Sequence, residues 1–183
     1  MTKAADPLPA TAPDPDQLRV MRFRDRHAAL GHAVTQLMGK PGFARLPFGS
    51  WSRVLVGQIN RDQYFFVARG GRLVGFAGWA FAAQADAERW RAGDPLAEMD
   101  PAGPQGGDCM IINAWQADDA AANGFVLTQM RVVGRHVQAI YARRSYPDGR
   151  LRIMRLPVDR TIIAGHVARQ DAARGGGTAG PAS

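Results

Sequence analysis

The stretch from Tyr64 to Trp79 constrains this chain more than any other. Tyr64 to Ala68 is rich in aromatic and β-branched residues, Gly70-Gly71 follows, and Leu73 to Trp79 returns with the same apolar character. Such residues fit a pleated, half-buried surface, and a Gly-Gly pair supplies the positive φ angles of a tight two-residue turn. The reading is a β-hairpin near the middle of the chain, so the fold must be built around a sheet that contains it. Gly75 and Gly78 fall inside the second strand. A glycine within a strand marks a bulge or the close approach of another part of the chain.

The flanking segments alternate between helical and extended character. Asp25 caps a helix in which Leu30, Ala33, Val34, Leu37 and Met38 recur at helical spacing, ended by Gly39 and Pro41. Pro-Gly-Phe-Ala-Arg-Leu-Pro-Phe-Gly (41–49) is read as a loop. Trp51 to Ile59 is compatible with a strand or a short helix and is read as a strand. Ala82 to Ala92 is helix-prone with Gly93 as its end cap, and residues 93–107, rich in Gly and Pro, form a loop. Cys109 to Trp115 reads as a buried strand. Asp118 or Asp119 caps a long helix reaching about Val137, with Phe125, Val126, Met130, Val133 and Val137 as its apolar stripe. Gln138 to Ala142 and Leu151 to Leu156 are further strands joined by the turn sequence Tyr-Pro-Asp-Gly at 146–149. Helices mixed with antiparallel strands give an α+β layered fold. Residues 1–17, with Pro7, Pro9, Pro13 and Pro15, have little to bury and are expected to be disordered. The same is expected of the Gly-rich tail 169–183, which leaves one folded domain over 18–168 and no internal repeat.

Charge and cysteine content narrow the setting. The formal net charge is +7, and among the 23 basic residues only Lys3 and Lys40 are lysines. An excess of arginine suits an acidic partner. Cys109 is the single cysteine, which excludes an internal disulfide and a cysteine-based zinc site and fits a reducing compartment. No apolar run nears the ~20 residues that span a bilayer, and the N-terminus has no signal-peptide core, so a cytoplasmic protein with no membrane span is expected. Between residues 131 and 160 stand eight arginines against Asp148 and Asp159. Such a face can steer an acidic protein. It is equally a solvated face of an arginine-rich chain. No zinc spacing, RNP-like sequence or helix-turn-helix pattern accompanies it, so no nucleic acid partner is expected. No phosphate loop, Gly-x-Ser-x-Gly elbow or zincin histidine pair occurs either.

Several blocks, taken in order, resemble a known family. They are Ala29-Leu30-Gly31-His32 ahead of a helix and a Pro-containing loop, Asp62-Gln63-Tyr64 leading into a strand, Leu73-Val74-Gly75-Phe76-Ala77-Gly78-Trp79-Ala80, and Gly107-Asp108 followed by an apolar stretch and Trp115. From about residue 28 to 157 the chain resembles the RTX toxin-activating (hemolysin-activating, HlyC-like) lysine acyltransferases, as a divergent member. The resemblance implies a GNAT-like acyltransferase fold with a central, mostly antiparallel sheet flanked by helices. It implies transfer of a fatty acyl group from acyl carrier protein to a lysine of an RTX protoxin, with no bound metal or nucleotide and acyl-acyl carrier protein as the donor. A homodimer is left open. Lysine is an ammonium in water (pKa ~10.4) and must lose a proton before it attacks a thioester. The family is credited with a His for this step, assisted by an Asp.

Those two positions are substituted here. If Arg45 matches the family arginine, Ala44 takes the place of the His, and Asn113 takes the place of the Asp at the end of the strand 110–113. Alanine cannot accept a proton, and Asn hydrogen-bonds without carrying charge. Losing a general base removes ~10²–10⁴-fold in rate. One consequence is a catalytically degenerate member acting as a binding module. The other is an enzyme that uses other groups. His32, in the Leu-Gly-His block, is the substitute candidate against a reading as a histidine packed on the core. Cys109 is either an acyl-holding thiol or an inert core residue. Arg131 and Arg135, four apart on one helix, are the candidates for docking acyl carrier protein. In the family-like reading Trp79 and Trp115 border the acyl groove, against plain core packing. A coenzyme A-dependent small-molecule N-acyltransferase is a third reading, without its usual Gly/Arg-rich pyrophosphate loop.

Overall fold

A computed structural model describes residues 16–44, 46–96, 106–145 and 150–158, together with 161, 164–165 and 167–169. The expected disordered ends fall almost wholly outside these residues, as does the 146–149 turn. The order of elements is β1 (Arg19–Met21), α1 (Arg26–Met38), α2 (Pro41–Ala44), α3 (Phe48–Asn60), β2 (Tyr64–Arg69), β3 (Arg72–Ala82), α4 (Gln84–Ala92), β4 (Cys109–Ala117), α5 (Ala120–Val133), β5 (Ala139–Ser145) and β6 (Leu151–Pro157).

The six strands form one sheet in the order β1-β2-β3-β4-β5-β6. Every pairing is antiparallel except β4 with β5, which are parallel and joined through α5. This is the α+β, mostly antiparallel architecture expected from the sequence. The hairpin lies where it was predicted, with Gly70 and Gly71 at φ 54° and 81°.

Side chains alternate across the strands and so build separate cores on the two faces. On one face Phe65, Trp79, Met110 and Ile112 pack with Val126 and Met130 of α5. On the other, Tyr64, Phe66, Phe76 and Ala114 pack against α1 and α3. Further along that second face, Cys109, Ile111 and Tyr141 meet Ala87 and Trp90 of α4.

Three expectations are corrected. Residues 51–59 belong to helix α3 and not to a strand. Trp51, Leu55 and Ile59 are buried at four-residue spacing, the period of a helix that lays one stripe on the sheet. Residues 41–44, expected as loop, form the short helix α2. Helix α5 stops at Val133 and does not reach Val137. A Cβ on Gly134 would lie 3.1 Å from Ile140 and from Met110, so the chain turns down onto the sheet there. Strand β1, three residues long, carried no period strong enough to be read.

Candidate functional site

Two irregularities of the sheet coincide at Asn113. The β3–β4 register steps from Gly78↔Ala114 to Trp79↔Ile112, which leaves Asn113 as the extra residue of a bulge. On its other side β4 pairs with β5 from Cys109↔Ala139 to Ile112↔Ala142 and no further. Beyond that rung β4 continues to Ala117 beside β3, and β5 continues to Ser145 beside β6. The two parallel strands therefore part at Asn113 and Arg143. The edge of β4 along the parting carries backbone groups with no strand partner, a ready template for an extended ligand.

Helix α3 supplies the lid over the bulge. The completely buried Gln58 donates a hydrogen bond from Nε2 to Oδ1 of Asn113. Its backbone carbonyl accepts the Gln63 N–H at 2.8 Å, and the Gln63 carbonyl accepts the Trp79 N–H at 3.0 Å. The link runs through Asp62, a non-glycine residue in the left-handed region at φ 56°, a conformation that Asp tolerates better than most residues. The Asp62-Gln63-Tyr64 block thus fastens the end of α3 to the strand beside the bulge. Gly78, one of the two strand glycines singled out in the sequence, sits beneath Gln58 at the bulge itself, so both meanings of a strand glycine apply to it.

From β5 two side chains, two residues apart, reach α4: Tyr141, still paired with Ile111, and Arg143, just past the parting. The Tyr141 hydroxyl donates to Glu88 at 2.6 Å and accepts from Arg155 Nε at 3.1 Å. Burial, and then the bond to Glu88, push the Tyr141 pKa up, so it stays a phenol. Arg143 lays its guanidinium over the Trp90 ring at 4.8 Å, and its Nε has no hydrogen-bond partner. Burial pulls the Arg143 pKa down from the usual arginine value.

The other expected site residues are spread out. Ala44 ends α2 and is exposed, while its neighbour Phe43 packs on the core that also holds Ala114. Ala44 and Asn113 thus belong to the same side of the sheet, and among the described residues no hydrogen bond joins them. Arg45 lies outside the described residues. His32 is exposed on α1, stacked on Phe23 at 4.5 Å and edge-on to Phe66. Cys109 is buried, and burial is the main cause that pushes its thiol up to about 11, so it is protonated at neutral pH. Arg131 is exposed in the last turn of α5, but Arg135 lies beyond the helix end, so the pair does not share a helical face. Trp79 packs in the core against Phe65, on the face opposite Asn113, and Trp115 donates from Nε1 to Asn123 of α5 at 3.0 Å. Sequence reasoning missed Gln58 and Arg143. Arg143 was counted only as one charge in a basic run, and Gln58 lay in a segment assigned to the wrong element.

The N-terminus of α5, next to the open end of the parting, is closed by its own chain. Asp119 accepts the Ala122 N–H at 2.8 Å and pairs with Arg69 at 2.8 Å, and that arginine is the main cause holding its carboxyl below the usual range. Among the described residues no group of His, Cys, Asp and Glu could hold a metal, and no helix is long and apolar enough to cross a membrane.

No family model matches the sequence, and no curated protein matches it. Solved structures with a similar chain path include the GphF GNAT-like decarboxylase in complex with isobutyryl-CoA. That likeness has a TM-score of 0.48 and 16% identity over 72% of this chain and 67% of that chain. The loading GNATL domain of CurA from Lyngbya majuscula has a TM-score of 0.44 and 14% identity, with the same coverage of 72% and 67%.

Proposed function

We propose that the chain is a GNAT-like acyltransferase homologue that takes an acyl group from a carrier-held thioester and offers it to a protein lysine, with the β4–β5 parting as its site. The observation that carries this reading is the fork itself: two parallel strands that separate at a bulge whose side chain, Asn113, is held by a buried Gln58. An extended thioester arm bearing amides can pair with the freed edge of β4 over the ~13 Å from residue 113 to residue 117. Its reactive carbonyl then lies near Asn113. In the transfer the lysine nitrogen bonds to the carbonyl carbon, the carbon–sulfur bond breaks, and the thiol leaves with the proton the amine gives up. The resemblance to the toxin-activating lysine acyltransferases supports lysine as acceptor and acyl carrier protein as donor. The closed N-terminus of α5 supports the same donor. A coenzyme A pyrophosphate placed there would meet the Asp119 carboxylate, whereas a carrier arm brings a single phosphate to that end and its protein draws further affinity from its own surface. Arg131 remains a candidate for that contact.

The test is mass spectrometry of an RTX-type repeat protein incubated with acyl carrier protein charged with an acyl group. An acyl mass on lysine above the no-enzyme background supports the reading. No gain refutes turnover.

A second reading, a binding module without turnover, is favoured by the amide pair at the fork. Neither Asn113 nor Gln58 can take a proton, and His32 is engaged with Phe23 and Phe66. This reading predicts carrier binding with no acylation, and A44H combined with N113D is expected to restore some turnover.

A further inference from the structure

We infer that Arg143 is an anion-holding residue at the closed end of the fork, and that it selects an acyl group ending in a carboxylate. The inference rests on the proposed thioester site and narrows its substrate class.

The argument starts from an unspent cation. Arg143 is the first residue of β5 past the last β4–β5 rung, Ile112↔Ala142, and so faces the parting across from Asn113. It follows Tyr141 by two residues and shares its side of the strand, the side covered by α4. Trp90 covers one face of the guanidinium. Among the described residues no carboxylate pairs with Arg143. The carboxylate nearest along α4, Glu88, is engaged by the Tyr141 hydroxyl and by Arg91 at 3.1 Å. The guanidinium is half-buried and stacked on one face, and its Nε is shielded from water without a hydrogen-bond partner; the edge it belongs to matches a carboxylate in two parallel hydrogen bonds. Removing such a charge from water without a partner is costly, which favours a ligand that supplies one.

Position decides which part of a donor would meet it. The phosphate of a carrier arm belongs at the open end of the fork, about four residues of strand from Asn113, whereas the acyl end belongs beside Asn113 and Arg143. Beyond Arg143 this side of the sheet is filled by Tyr141, Cys109, Ile111 and Trp90, all at most 3% exposed. A long alkyl tail running that way would have to displace them. A short acyl chain with a terminal carboxylate ends at the guanidinium instead.

The experiment is calorimetric titration of the full chain with two small thioesters of equal length, S-succinyl- and S-butyryl-N-acetylcysteamine, and with inorganic phosphate. The expected result is that the succinyl thioester binds at least tenfold more tightly than the butyryl one, that R143Q abolishes the difference, and that phosphate does not compete. R143K, which keeps the charge but loses the planar edge and the stacking, is expected to retain only part of it, and it serves as the readout if R143Q does not fold by circular dichroism. Equal binding of the two thioesters, a preference that survives in R143Q and R143K, or displacement of the succinyl thioester by phosphate would each overturn the inference and leave the thioester site standing. Failure of both thioesters to bind would remove the proposed site and this inference with it.

Discussion

Oε1 of Gln58 occupies the space that a side chain on Gly78 would need: a Cβ there would stand 2.5 Å from it. Gln58 has nowhere easy to retreat, because it is buried, its amide nitrogen is bound to Asn113, and its backbone is tied to Gln63. Gly78→Ala is therefore expected to destabilise the chain by about 1–3 kcal/mol, the usual range for overpacking a core. The effect should be strongly non-additive with Gln58→Ala, which removes the obstruction. Urea denaturation of the two single variants and the double variant measures this. Additive losses would show that the two residues do not press on each other.

Removing the partner of Gln58 has a different cost. Asn113→Ala leaves the Gln58 amide nitrogen buried without an acceptor, and about 1–3 kcal/mol of stability should be lost. N113D keeps an acceptor oxygen in place, so a smaller loss is expected from it. Chemical denaturation near pH 7 ranks the two, and the reverse order would contradict the assigned direction of the bond.

Turnover, where it is measured, should carry the mark of an amine deprotonated by solvent. The reactive fraction of a lysine grows tenfold per pH unit below its pKa of ~10.4. The logarithm of the acylation rate should rise with a slope near one from about pH 7 to pH 9, with no break near the imidazole value of ~6.5. In the A44H and N113D double variant the rate should rise and a break should enter near that value. A break already present in the unmodified chain would point to a histidine at work.

Cys109 should behave as an inert thiol. With its pKa pushed up to about 11 from 9.0, its thiolate fraction at pH 8 is about a hundredfold lower than that of an unperturbed cysteine, and labelling by a thiol reagent should be slower by at least that factor. The raised folded-state value sets the sign of the linkage. The unfolded chain loses its thiol proton first, so this contribution to stability is intact below pH 9 and disappears as pH climbs through about 11. C109A should flatten that decline in a denaturation series over the same interval. Fast labelling at pH 8 would place the thiol at the surface.

The hairpin, the helices α1 and α4, the strand β4 and an aspartate cap on α5, read as Asp118 or Asp119 and found at Asp119, were legible because each depends on local terms: alternation, helical spacing, a turn pair, a capping carboxylate. The two substituted positions, Ala44 and Asn113, were also named from the sequence, as departures from a familiar pattern. What escaped was set by neighbours far along the chain. Residues 51–59 are apolar at a spacing that a strand and a helix both tolerate over so short a run, and only the sheet beneath them selects the helix. Helix α5 ends at Gly134, where a side chain would press on Ile140 and Met110, and that crowding is set by residues outside the helix's own local pattern. Most of all, the proposed site is a property of pairing. No residue near 113 or 143 announces that β4 and β5 run parallel for four rungs and then separate. That separation sets an ordinary asparagine and one arginine among many on the two sides of the parting where the proposed site lies.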